Sequence, residues 1–146
     1  MATTNPALLH EFKAREAREH WKDILDLAES GAVAVVCRNS PVAVVDRQVL
    51  DDALARSHPF DVQVSVGKGR VSMWIDGLSV HGDGATLAEA EEDFLDALLD
   101  YAQAWVDELH VAPNHRDHGG LVRRVLLSGG NRELLRKAIF DEPGDK

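Results

Sequence analysis

The chain has 146 residues, 45% of them hydrophobic, and carries 16 lysines and arginines against 25 aspartates and glutamates, a net charge of −9 with histidine neutral. That length and apolar content fit one or two small packed domains rather than a disordered chain, and the acidic balance excludes bulk affinity for nucleic acid. No signal peptide is evident and no apolar run approaches the roughly eighteen residues of a bilayer span, so a soluble, cytoplasmic protein with no membrane partner is expected.

The charge is unevenly spread. Residues 1–58 carry 7 basic and 9 acidic groups, residues 59–110 carry 2 and 11, and residues 111–146 carry 7 and 5. The acid is therefore concentrated in the middle, and any contact with phosphate must come from a local basic patch outside it.

In the first segment, Ala17, Trp21, Ile24, Leu25 and Ala28 recur at three- and four-residue intervals with Arg18, Glu19, Lys22, Asp23 and Asp26 between them, the pattern of an amphipathic helix. Ser30-Gly31 stops it, because glycine takes the left-handed conformation of a helix end at little cost. Val33–Cys37 and Val42–Val45 are runs of β-branched and small apolar residues on either side of Arg38-Asn39-Ser40-Pro41, which reads as a hairpin. Cys37, the single cysteine, cannot form an internal disulfide and is expected to be a small core residue of the first of these strands. Val49, Leu50, Ala53 and Leu54 mark a second helix, with Asp46 placed to cap it.

The run Phe12-Lys13-Ala14-Arg15-Glu16-Ala17-Arg18-Glu19-His20-Trp21, then Leu25, the apolar strand ending in Arg38, and Pro41-Val42-Ala43-Val44-Val45 resemble the amino-terminal domain of Phd/YefM antitoxins. The resemblance covers about a third of the chain. It implies a domain, residues 1–58, that dimerises and binds the operator DNA of its own toxin–antitoxin operon. The arginines that meet DNA in such domains correspond to Arg18 and Arg38. Arg15 stands where the family carries Ser or Thr, so the hydroxyl that would cap the helix amides is missing. Lys13 and Arg15 extend the candidate basic face, since a few cations on one side meet phosphates while a bidentate arginine reads a base. Without the resemblance, the same residues read as a solvated helix face balanced by Glu11, Glu16 and Glu19.

The middle segment, residues 59–110, opens after Ser57-His58-Pro59. Phe60 to Val66 alternates apolar and polar residues, Gly67-Lys68-Gly69 turns the chain, Val71 to Ile75 returns, and a short strand can run through Val80 after Asp76-Gly77-Leu78. Thr86 with Glu89 three residues on is a capping box, and Leu87, Ala90, Phe94, Leu95, Ala97, Leu98, Tyr101, Ala102, Trp105 and Leu109 form a broad apolar stripe. This β-β-β-α order, with Asp76-Gly77-Leu78 and Gly82-Asp83-Gly84-Ala85-Thr86-Leu87-Ala88-Glu89-Ala90, resembles the HicB antitoxin module, a truncated relative of ribonuclease H that lacks the catalytic carboxylates. The resemblance implies a protein-binding or dimerising surface rather than chemistry.

Residues 111–146 read as a linker and helical tail: Leu121–Leu127, then Asn131 capping Arg132–Phe140, each apolar on one side and basic on the other. Helices this short need a docking surface. That surface is either the acidic middle module in cis or a toxin, in which case Leu126, Leu127, Leu134, Ile139 and Phe140 would be the anchors.

Two further clusters raise an enzyme reading. Asp61 and Asp76, with Asp83, are carboxylates of the type a metal-dependent nuclease needs, and His110, His115 and His118 lie near one another in a probable loop. No established spacing joins them, so no catalytic residue, metal or cofactor is assigned. The reading is an α+β protein: a Phd/YefM-like dimerisation domain, a HicB-like module and a helical tail. By resemblance it is a dimeric antitoxin that neutralises a toxin, a ribonuclease of the RelE type, and represses the shared operon. The alternatives are a small metal-dependent nuclease or hydrolase, and a ligand-sensing regulator with no toxin.

Overall fold

The computed structural model describes residues 11–141. The chain divides into two compact units, 1–53 and 54–146, with the division falling inside a helix at Arg47–Ser57.

In the first unit β1 (Glu11–Lys13) leads directly into α1 (Ala14–Glu19), α2 (Trp21–Glu29), β2 (Val33–Cys37), β3 (Pro41–Val45) and α3 (Arg47–Ser57). The sheet order is β1-β2-β3, with β1 parallel to β2 and β2 antiparallel to β3. β1 is too short to show a period in the sequence. It forms because Phe12, between two charged residues, inserts into the core beside Ala17, Ile24, Leu27 and Ala34. The single amphipathic helix expected across residues 17–28 is broken at His20, whose φ of −115° and ψ of 22° leave the helical region. That break turns α2 so that Ile24, Leu27 and Ala28 are buried while Trp21 and Leu25, expected on the apolar face, are exposed. Gly31 ends α2 at φ +94°, and the Asp46 carboxylate accepts from the Gln48 amide at 2.8 Å to start α3.

The second unit has the β-β-β-α order: β4 (Val62–Gly67), β5 (Arg70–Ile75), β6 (His81–Gly84) and α4 (Leu87–Asp107). The strands are antiparallel in sequential order, and Lys68 and Gly69 both take positive φ, as a two-residue type I′ hairpin requires. Thr86 caps α4 by accepting from the Glu89 amide at 3.2 Å, and Glu89 reaches back to the Ala85 amide at 2.8 Å. Phe94, Leu95 and Leu98 of α4 are fully buried on Met73, Ile75 and Val80. A Cβ at Gly82 would lie 2.5 Å from the Ala90 carbonyl oxygen and from Phe94, and one at Gly84 2.6 Å from the Ala90 amide. β6 therefore touches the α4 backbone because it lacks side chains there.

After two 3-10 turns, at Leu109–Val111 and Arg116–His118, the chain forms α5 (Gly119–Leu126) and α6 (Arg132–Phe140), the latter capped by Asn131 as its sequence indicates. Val122, Val125, Leu135 and Ile139 join the core of the middle module. On the polar side, Arg132 pairs with Glu92 at 2.5 Å and with Asp96, and Arg136 pairs with Glu91 at 3.2 Å and with Glu92. The basic face of α6 thus docks in cis on the acidic face of α4. Arg124 departs from the expected solvent face of α5: it is buried, stacks 4.2 Å over the Phe60 ring, and donates to the His58 carbonyl at 3.1 Å.

Replacing Gly82 by Ala is expected to lower the unfolding free energy by about 3 kcal/mol, the upper part of the range for overpacking, read as a shift in urea midpoint at unchanged slope. The two arginines, Arg132 first, hold the Glu92 carboxyl below its ordinary range. A depressed carboxylate stabilises the fold above its unfolded value, about 4.3, and loses that contribution as pH falls through the folded value. The thermal midpoint of the wild type should therefore exceed that of Glu92→Gln near neutral pH, with the gap narrowing as the solution is acidified below about pH 4.

Candidate nucleic-acid and toxin interfaces

The register of β1 on β2 sets Lys13 opposite Cys37, so Arg38, the next residue, emerges at the same end of the sheet. The chain leaves Lys13 straight into α1, whose cap residue is Lys13 itself with no side-chain hydrogen bond; Arg15 lies inside the helix, so the capping position is 13 and not 15 as the resemblance implies. Arg15 and Arg18, three apart on α1, share a side of that helix. All four cations are exposed. The first unit holds six lysines and arginines. Two are ion-paired, Lys22 with Asp26 at 2.6 Å and Arg47 with Asp51 at 3.7 Å. Among the described residues, Lys13, Arg15, Arg18 and Arg38 form no ion pair. Beside them, Ala14, Ala17, Arg18, Trp21 and Val36 line an open groove of about 440 Å³.

Cys37 is not a core residue. It is half-buried at the end of β2, and its thiol donates to the Glu11 carboxylate across the β1–β2 pair at 2.7 Å. The hydrogen bond to Glu11, with burial, pushes the thiol up and disfavours the thiolate.

Of the five candidate toxin contacts, Ile139 is 7% exposed within the core and Phe140 packs against it, so these two hold α6 to its own module. Leu126 and Leu134 remain exposed at 45% and 39%, and Leu127 is half-buried.

The carboxylates of the enzyme reading are dispersed and engaged. Asp61 accepts from the Gln63 amide at 3.1 Å, and Asp76 from the Trp74 indole at 3.0 Å. Asp83 accepts from the Ser72 hydroxyl at 2.5 Å and faces Arg70 at 3.4 Å, which together keep its carboxyl below the usual range. Of the histidines, His110 bonds the Trp105 carbonyl at 3.0 Å. The Nδ1 atoms of His115 and His118 lie 2.9 and 2.5 Å from the Tyr101 hydroxyl, whose phenol burial pushes up. Among the described residues, no three of His, Cys, Asp and Glu converge as metal ligands, and no helix is long and apolar enough to cross a membrane.

Over residues 8–139 the sequence matches the family PHD_like, described as antitoxin of toxin–antitoxin, RelE / RelB, TA system, and the chain belongs to this antitoxin family. Family membership implies a toxin partner. Among solved structures, the fold is similar to a crystal structure from Syntrophomonas wolfei subsp. wolfei, assigned as the antitoxin part of a candidate toxin/antitoxin system. The TM-score is 0.71 at 24% identity, covering 90% of this chain and 97% of that one. No curated protein matches the sequence.

The alkylation rate of Cys37 should rise with pH along a curve displaced upward from the ordinary thiol value of about 8.5, and Glu11→Gln should move that curve down. An unmoved curve would show that Glu11 does not govern the thiol.

Proposed function

We propose that this antitoxin neutralises a RelE-type ribonuclease and represses its own operon as a dimer, with a Phd/YefM-like first unit on operator DNA and a HicB-like second unit that carries the toxin contact. The observation that supports the DNA half is the gathering of Lys13, Arg15, Arg18 and Arg38, all exposed, around one end of the first sheet, in a unit whose other two cations are ion-paired. An acidic protein can bind DNA only through such a patch. Arg18 and Arg38 are the candidates for base edges; Lys13 and Arg15 are suited to phosphate.

Exposed Trp21 and Leu25, one turn apart on α2, supply an apolar strip for a second copy. A two-fold pair would match a palindromic operator with half-sites about 34–36 Å apart. For the toxin, Leu126, Leu127 and Leu134 are the apolar groups that the tail leaves accessible. No covalent chemistry enters this reading; the protein acts by occupancy.

Arg18→Ala or Arg38→Ala should weaken binding to a fragment carrying the operon's own promoter by about 1–3 kcal/mol, measured by fluorescence anisotropy. Lys13→Ala should instead reduce the salt dependence by about one phosphate contact. Unchanged affinity in both arginine variants would remove the DNA assignment, and failure of the neighbouring gene's product to co-purify would remove the toxin assignment.

A further inference from the structure

Among the described residues β4 pairs on one side only, with β5, so its other edge presents free backbone N–H and C=O groups. Natural edge strands are usually blunted by a lysine, a proline, a bulge or an inward-pointing charge. The strand Val62-Gln63-Val64-Ser65-Val66-Gly67 has none of these, and its six residues hold an unbroken register with β5.

That register fixes which face each residue occupies. Val62, Val64 and Val66 stand opposite Ile75, Met73 and Val71, the three β5 residues buried beneath α4. The helix packs over β6 and β5 and stops short of β4. Val64 is left 49% exposed and Val66 76% exposed, on the face that is apolar elsewhere in the sheet. An unblunted hydrogen-bonding edge therefore coincides with an uncovered row of valines.

We propose that this edge pairs antiparallel with β4 of a second copy, about a two-fold axis at Val64, to form a continuous six-stranded sheet. The choice of occupant rests on self-complementarity. About Val64, Val62 stands opposite Val66 of the second copy, Gln63 opposite Ser65, and Val64 opposite its own equivalent. All valines then share one face and all polar residues the other. Moving the axis by half a residue would set valine against serine or glutamine and mismatch the two faces, which a half-buried sheet does not tolerate. The strand ends are complementary as well: Asp61 precedes β4 and Lys68 follows it, so each copy brings its acid beside the other's base at both ends of the pairing. A β-branched residue facing its like across antiparallel strands is a favourable cross-strand pair. This contact lies in the second unit and is separate from the apolar strip proposed above for the first, so it does not depend on the DNA reading.

The test uses the full chain. Val64→Lys places two lysines opposite each other at the axis. In a Trp21→Ser background, which removes the first-unit strip, sedimentation equilibrium should give a dimer without Val64→Lys and a monomer with it, at an unchanged far-UV spectrum. In a Cys37→Ser background, Val64→Cys should oxidise to a disulfide-linked dimer, because directly opposed antiparallel residues have Cα atoms about 4.5–5.5 Å apart, within disulfide reach. Ser72→Cys, on the central strand, should remain uncrosslinked. Equal masses with and without Val64→Lys in the Trp21→Ser background, or no crosslink through Val64→Cys, would overturn the proposal. Loss of toxin co-purification in Val64→Lys at unchanged mass would also overturn it, assigning the edge to a toxin strand. Arg18→Ala should leave the Val64→Cys crosslink in place, which separates failure of this inference from failure of the DNA reading.

Discussion

The second unit depends on how closely β6 lies against α4. Gly82 and Gly84 bring strand backbone to helix backbone, and the approach is reinforced by the Asp83 amide, which donates to the Asp93 carboxylate of α4 at 2.8 Å. A helix seated this deeply on the sheet edge buries Phe94, Leu95 and Leu98 completely. It also fixes the height at which the opposite, acidic side of α4 meets α6. A spacer as small as a methyl group at position 82 would propagate through both contacts, because packed interiors relax only partly.

The two units solve different charge problems. In the second, the acid of α4 is answered by Arg132 and Arg136, so a basic helix that would be marginal alone is held on a complementary surface. In the first, lysines and arginines around the end of β1 and β2 have no such answer among the described residues. A protein of net charge −9 that spends two of its arginines on a cis clamp while leaving others unmatched on a separate unit has divided its cations between internal and external partners.

Where local rules and tertiary packing agree, the sequence was a sufficient guide. The hairpins, the Thr86–Glu89 box, the Asn131 cap and the long stripe of α4 each carry their signal within a few residues. Other features are not legible, for physical reasons. β1 has three residues, too few for a period, and exists only because Phe12 finds a core. The His20 break has no proline or glycine to announce it, so an unbroken helical period puts Trp21 and Leu25 on the apolar face. Arg124 looked solvated because a guanidinium normally is, and its burial depends on a ring and a carbonyl from distant Phe60 and His58. The candidate cations were visible as types and the β1–β2 register brings Lys13 beside Arg38; the exposed edge valines of β4 were not visible, since alternation alone predicts that they are covered.

The hydroxyl of Tyr101 has a single proton and two imidazole nitrogens within bonding distance. It can give that proton to only one of them. The other nitrogen must arrive already carrying a hydrogen and direct it at the phenolic oxygen. His115 and His118, chemically the same residue, are thereby given opposite parts, one presenting an Nδ1–H and the other a bare Nδ1, and which ring plays which part becomes a property of the loop as a whole.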